Sequence, residues 1–445
     1  MRLRKAVAIS ILLAAAVASC GMRGGSNQTI IDGLGPSTAQ LTSTNQSSGL
    51  APGTKLTASA PGITPTTINI GTIQDISGPV PGLFQTALEG VKAWVAYENS
   101  KGGIDGRRLV LDAYDAGLNP TKFQQYEAQA CNSDFALVGV MSTVDNNGAV
   151  EGQQCGIPDI ADNPTTPQAA AATNVFASDP SMPNQYPDSW FRWVKQNFPS
   201  VIDHAAIMWP SVATTELTGQ RLRDTAESVG FKFVYQDATP PIESDFLPYV
   251  QSMKSAGTEY FAWQADYQSM ARILQSMQQL NWRPKVIDTT ATAYNQQFLD
   301  AAGSAANGIY FTLNVGLFSE AKDNPAMQTY LTWLNKAVPG HAPPDVFGIY
   351  SWAAGMMLDQ ALTAAGPNPT RSQVITALDG IHSFNGGGIM APMDPGNRKS
   401  SACFEVVTVK NDNFVRVYPT QPNTYDCTTG SLYTDPNIPP ASLTG

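Results

Sequence analysis

Charge is scarce in this chain: Asp, Glu, Lys and Arg make up 14% of its 445 residues, where soluble proteins average about 25%. Ser, Thr, Asn and Gln must therefore wet most of the surface. Basic residues are the rarer sign, 26 against 36 acidic, and the formal charge of −10 excludes the broad basic face that nucleic acid requires. Histidine is nearly absent; His204, His341 and His382 are the three present, which leaves little room for imidazole base chemistry. The sequence has no HExxH, no GxSxG elbow, no P-loop and no GxGxxG, so no enzyme class is signalled and no cofactor is expected. After residue 20 no apolar run approaches the roughly 20 residues that a membrane-spanning helix needs.

What is present begins with an address. Arg2, Arg4 and Lys5 precede an apolar run from residue 6 to 18, too short to span and arranged as a signal peptide over residues 1–19. The run ends in Val17-Ala18-Ser19-Cys20, which resembles the lipobox of bacterial lipoproteins. That resemblance implies cleavage before Cys20, diacylglycerol on its thiol, and attachment to the outer face of the cell membrane by lipid alone. Cleavage would take the formal charge from −10 to −13 by removing three basic residues.

Five cysteines less Cys20 leave Cys131, Cys155, Cys403 and Cys427, an even number suited to an oxidising compartment. Four cysteines allow three pairings, and the sequentially local one closes two loops of equal length. Zinc is the rival use, but neither local pair has CxxC spacing and histidines are few.

Residues 21–65 are rich in Gly, Ser, Thr, Asn, Gln and Pro without apolar periodicity. Such a segment reads as a flexible tether that, with the lipidated cysteine, fills residues 20–65. Order is expected from Ile68, where Ile68-Asn69-Ile70-Gly71-Thr72-Ile73 alternates as a strand does. Phe84, Leu88, Val91 and Val95 then recur at helical spacing. Asn119 before Pro120 marks a capped helix start. A second strand-then-helix series begins at Ala205, and the chain closes on two strands around Asn411-Asp412-Asn413. Repeated β-then-α units mean parallel sheets covered on both faces, and two such series mean two lobes.

The opening strand, Ser77-Gly78-Pro79 and Lys101-Gly102-Gly103-Ile104-Asp105-Gly106-Arg107 resemble the start of branched-chain amino-acid-binding proteins, the type I periplasmic binding proteins of ABC importers. Gly139-Val140-Met141-Ser142-Thr143, Asn163-Pro164-Thr165-Thr166-Pro167 and an Ala-rich helix from Tyr350 follow in the family's order. The resemblance covers about residues 66–418. It implies two flavodoxin-like α/β lobes joined by three hinge crossings, near residues 186–188, 313–315 and 385–388. Lobe 1 would hold residues 66–188 and 314–385, lobe 2 residues 189–313 and 386–418, and Cys427 would pin an irregular tail, residues 419–445. A Cys131–Cys155 disulfide falls where many relatives have one.

Ligands of open α/β sheets lie beyond the carboxyl ends of the strands. The loop at Ser77 qualifies, and the family's carboxylate-binding positions carry over to Ser142, Thr143 and Thr165, with Asn163 beside them. In lobe 2 the matching loops offer Trp209, Gln264, Asp288 and Thr289, with Asp266 as a rival carboxylate to meet an ammonium. The resemblance thus implies a non-enzymatic, monomeric receptor for a small polar metabolite, an amino acid or a related carboxylate or amide. Its partners would be an ABC permease and ATPase. The alternative is a ligand-sensing lobe that acts through a separate signalling partner.

Overall fold

The computed structural model describes residue 50 and residues 53–444; the leader, Cys20 and most of the expected tether lie outside the described residues. In the first half, β1 (Thr67–Gln74), α1 (Gln85–Ser100), β2 (Arg108–Asp115), α2 (Pro120–Ser133), β3 (Ala136–Val138), α3 (Ala149–Cys155), β4 (Asp159–Ala161), α4 (Pro167–Ala171) and β5 (Val175–Ala177) alternate. Their strands form a parallel sheet in the order β2-β1-β3-β4-β5. That order is the doubly wound arrangement, with its switch point between β1 and β3.

The chain then runs through β6 (Gln185–Pro187) and α5 (Ser189–Asn197) into β7 (Ala205–Pro210), α6 (Ala213–Val229), β8 (Phe233–Thr239), α7 (Leu247–Ser255), β9 (Tyr260–Trp263), α8 (Tyr267–Gln279), β10 (Val286–Thr289), α9 (Gln296–Ala302) and β11 (Tyr310–Leu313). Helices α10 (Pro325–Ala337), α11 (Val346–Ala365) and α12 (Arg371–Asp379) precede the hairpin β12 (Glu405–Lys410) and β13 (Asn413–Tyr418). The second sheet is β13-β12-β11-β10-β9-β7-β8. Its parallel part repeats the order of the first sheet, and the hairpin adds two antiparallel strands at the β11 edge.

Local chemistry accounts for the elements. The Asn119 side chain accepts from the Lys122 N–H at 3.0 Å and Pro120 opens α2, as a residue without an N–H can at no cost. Asn411 and Asp412 both take positive φ, 51° and 57°, the turn geometry that lets a two-residue loop follow the twist of its strands. β3, β4 and β5 are buried throughout, as strands of a parallel sheet covered on both faces should be.

The late helices return to the first sheet. α11 lies against α1 at two small residues: a Cβ on Gly90 would meet the Gly348 carbonyl oxygen at 2.3 Å, and one on Gly355 would meet the Trp94 ring at 2.1 Å. Neither glycine can be enlarged without parting the helices. Lobe 2 has its own aromatic core, in which Trp190 and Trp193 of α5 stack at 5.4 Å.

Three differences from the sequence reading stand out. The segment 57–64, expected as tether, is fastened to lobe 1: Arg107 donates to the carbonyls of Thr64 at 2.7 Å and Thr57 at 3.0 Å. The third crossing falls later than residues 385–388. Residues 395–398 still pack on lobe 1, with Gly396 N–H on the Ile381 carbonyl at 2.8 Å and Arg398 on the Thr173 carbonyl at 2.8 Å. Residues 389–391 instead run antiparallel to the second crossing, through Gly316 to Ile389 and Ala391 to Asn314. Finally, the tail is not wholly irregular: β14 (Leu432–Thr434) pairs with β6 in the first crossing. The Cys131–Cys155 and Cys403–Cys427 disulfides are both formed.

Candidate functional site

The loops that leave the carboxyl ends of β1, β3 and β4 face those that leave β7, β9 and β10 across a cleft of about 820 Å³. That lies within the range of about 300–1,000 Å³ typical of small-molecule sites. Phe84, Leu118, Met141 and Phe347 line it from lobe 1, and Val212, Leu217 and Ile242 from lobe 2. Phe84 and Phe347 meet edge to face at 5.0 Å. Ile242 is 77% exposed at this wall, a large apolar side chain left uncovered where a ligand can cover it.

Thr143, Asn163, Thr165 and Gln264 line the cleft as the sequence reading expected. Their free capacity differs. Thr165 gives its hydroxyl to the Ser142 carbonyl at 2.7 Å and its N–H to Asp145 at 2.7 Å. Asn163 donates to the Asp179 carbonyl and carboxylate. The Gln264 amide makes no side-chain hydrogen bond among the described residues and is open to a ligand.

Five expected residues sit elsewhere. Ser77 is exposed, beside the cleft, with its N–H on Asp115. Ser142 is buried beneath the surface of the cleft and gives its hydroxyl to Asp75 at 2.9 Å. Trp209 shares the face of Ala205 and Ile207 in the α5 core, since alternate strand residues point the same way. Its ring lies against Gly219 of α6, where a Cβ would come within 2.4 Å. Asp288, on the Val286 face of β10, is buried under Tyr260, whose hydroxyl donates to it at 2.9 Å. Burial pushes its pKa up to about 7. Thr289 is also buried and off the cleft. The rival carboxylate, Asp266, does line the cleft, while one of its oxygens caps α8 through Ser269 N–H at 2.8 Å.

Two residues escaped the sequence reading. Asp75, fully buried at the end of β1, accepts from Leu118 N–H at 2.8 Å, the Ser142 hydroxyl at 2.9 Å and Thr143 N–H at 3.1 Å. Burial raises its pKa and these three hydrogen bonds oppose the rise. Arg221, on α6, lines the opposite wall and is 8% exposed. Its Nη1 donates to the Ser181 hydroxyl at 3.1 Å and the Met182 carbonyl at 2.6 Å. No signal in the sequence separates it from the other charges of an amphipathic helix.

Residues 67–413 match the sequence profile of the periplasmic binding protein family. The chain belongs to that family. Within it, this periplasmic binding protein is similar to Leu/Ile/Val-binding protein homolog 8 of Brucella abortus (strain 2308), 21% identical over 372 residues, 79% of this chain and 90% of that one. It is also similar to Leu/Ile/Val-binding protein homolog 3 of Brucella melitensis, 22% identical over 318 residues, 70% and 83% of the two chains. Among solved structures, the fatty acid ABC transporter substrate-binding protein from Thermomonospora curvata matches with a TM-score of 0.70 at 16% identity, over 83% of this chain and 98% of that one. A leucine binding protein from Thermotoga maritima matches with a TM-score of 0.66 at 16% identity, over 83% and 99%. These likenesses give this periplasmic binding protein the type I fold of two flavodoxin-like lobes. The family binds solutes outside the cytoplasm and is not enzymatic. No helix among the described residues is long and apolar enough to cross a membrane.

Proposed function

We propose that this protein captures a small metabolite with polar and apolar parts, an amino acid or a related carboxylate or amide, and delivers it to an ABC-type permease. The observation that carries this reading is the cleft of about 820 Å³ between the carboxyl ends of two parallel sheets, with apolar side chains and the open Gln264 amide on its walls. Curated relatives are named for leucine, isoleucine and valine, and one structural neighbour for fatty acids. Each of those compounds joins a carboxylate to an apolar body. Ligand bound to one lobe would favour rotation about the crossings, and the closed form would be what the permease recognises. Lipidation of Cys20 would hold the protein at the membrane while it does so.

A thermal-shift screen of the purified protein against amino acids, amides, sugars, polyols and small carboxylic acids tests the reading. Ligand at about 100 times its dissociation constant adds roughly 2.7 kcal/mol, a rise on the order of 2–4 °C for lobes of this size. Shifts confined to carboxylates and amides support it; shifts confined to sugars or polyols contradict it.

A further inference from the structure

Within the solute-binding reading, the question is which group holds the ligand's charge, and most of the lobe 1 donors expected to do so are already engaged, the Thr143 hydroxyl on the cleft wall being the exception. The Ser142 hydroxyl and the Thr143 N–H both go to Asp75, and the Thr165 hydroxyl goes to the Ser142 carbonyl. Asp75 is itself a carboxylate. It fills from within the kind of donor nest that a ligand's carboxylate would need, and it sets a negative charge behind that wall.

The opposite wall has the reverse imbalance. Arg221 is a guanidinium with nine-tenths of its surface buried, and no carboxylate among the described residues lies within 4.0 Å of it; the acid whose charge reaches it, Asp179, spends its carboxylate on Asn163 and Asn314. Among the described residues, its side chain's hydrogen bonds leave from Nη1, to Ser181 and Met182. Its Nε–H is buried with no acceptor among the described residues. Tyr186 supplies only a ring face, 5.3 Å from Cζ. Buried charges are normally paired, because an unpaired one forgoes hydration without recompense. The guanidinium lines the cleft, and its fork matches a carboxylate with two parallel hydrogen bonds. Close by on the same wall, Val212, Leu217 and Ile242 offer apolar surface, with Ile242 uncovered.

We propose that Arg221 is the ligand's anion site, and that the cognate ligand is a carboxylic acid whose body is apolar and lies against Val212, Leu217 and Ile242. The proposal rests on the solute-binding reading and narrows it from carboxylates or amides to carboxylates held by lobe 2. A neutral amide of the same shape would leave the guanidinium unpaired, so the site discriminates by charge.

The test is calorimetric titration of the full-length protein with straight, branched and aromatic carboxylates of four to ten carbons and with the primary amide of each. The expected result is that the best carboxylate binds at least tenfold more tightly than its amide. Arg221→Gln should remove that preference while amide affinity stays within about threefold, and Arg221→Lys should restore part of it. Thermal unfolding of each variant checks that the fold is kept. Equal affinity of the wild-type protein for carboxylate and amide overturns the Arg221 assignment with no variant needed, and leaves the solute-binding reading standing. An undiminished preference in Arg221→Gln overturns it as well. Failure of the wild-type protein to bind any member of the panel overturns the proposed ligand class together with the assignment.

Discussion

The Ser142 hydroxyl donates to Asp75 Oδ2 at 2.9 Å, and this bond joins two cleft loops that are 67 residues apart in sequence. With Leu118 and Thr143 as further donors, Asp75 ties the loops after β1, β2 and β3 into one floor. Asp75→Ala would orphan all three donors. The expected cost is about 2–4 kcal/mol, since each buried donor left unsatisfied costs roughly 1–3 kcal/mol and water can reach some of them. Urea denaturation checks it; a loss below 0.5 kcal/mol would show that the loops hold without Asp75.

Stability should fall as pH rises from 5 to 8. Burial lifts the pKa of Asp288 to about 7 and of Asp145 to about 6, against about 3.9 in an unfolded chain. A raised folded pKa means that the folded state holds the proton more tightly. Its contribution is therefore complete below about pH 4 and is lost as pH climbs through 6 and 7. Asp288→Asn should match the wild-type protein at about pH 4 and exceed it at pH 8, on the order of 2–4 kcal/mol. Calorimetric melting at both pH values decides, and a wild-type protein more stable at pH 8 would reverse the sign.

Trp209 should matter to stability and not to binding. Gly219→Ala places a methyl group where the Trp209 ring already lies and should cost about 1–3 kcal/mol by overpacking. Trp209→Phe should lower the melting temperature and leave ligand affinity within about twofold. Lost affinity at an unchanged melting temperature would return Trp209 to the site.

The Cys131–Cys155 bond ties α2 to the last residue of α3 and closes a loop with a sequence separation of 24 residues. Replacing both cysteines by serine should cost about 3 kcal/mol through the entropy returned to the unfolded chain. Chemical denaturation of the double variant measures it, and an unchanged midpoint would mean that the native packing supplies the constraint alone.

Much of the scaffold was legible because it follows local rules. Asn119 before Pro120 announced α2, the alternation in residues 68–73 announced β1, and two β-then-α series announced two sheets. The third crossing was not legible, because Gly386, Gly387 and Gly388 look like a hinge while the bonds that keep residues 395–398 on lobe 1 come from distant segments. The site was legible by loop and not by side chain. Strand alternation within β7 and β10 decides whether Trp209 and Asp288 face the cleft or the α5 core, and that depends on where each strand ends. Asp75 acquires its role from donors 43, 67 and 68 residues away. Arg221 acquires its own from a buried position in which no described carboxylate comes within 4.0 Å and the nearby Asp179 is held by Asn163 and Asn314, a property of the fold that no spacing encodes.

If one small molecule binds between the lobes, blocking the cleft must abolish its binding. Thr218 lines the lobe 2 wall on α6, one turn before Leu222 of the core, and Thr218→Trp would fill the space in front of Arg221 without touching that core. Isothermal titration of the wild-type protein with the best compound from the screen should give one site per chain, and Thr218→Trp should show no measurable heat of binding with its melting temperature kept. Wild-type affinity in Thr218→Trp would contradict the account, because the ligand would then be held somewhere other than this cleft.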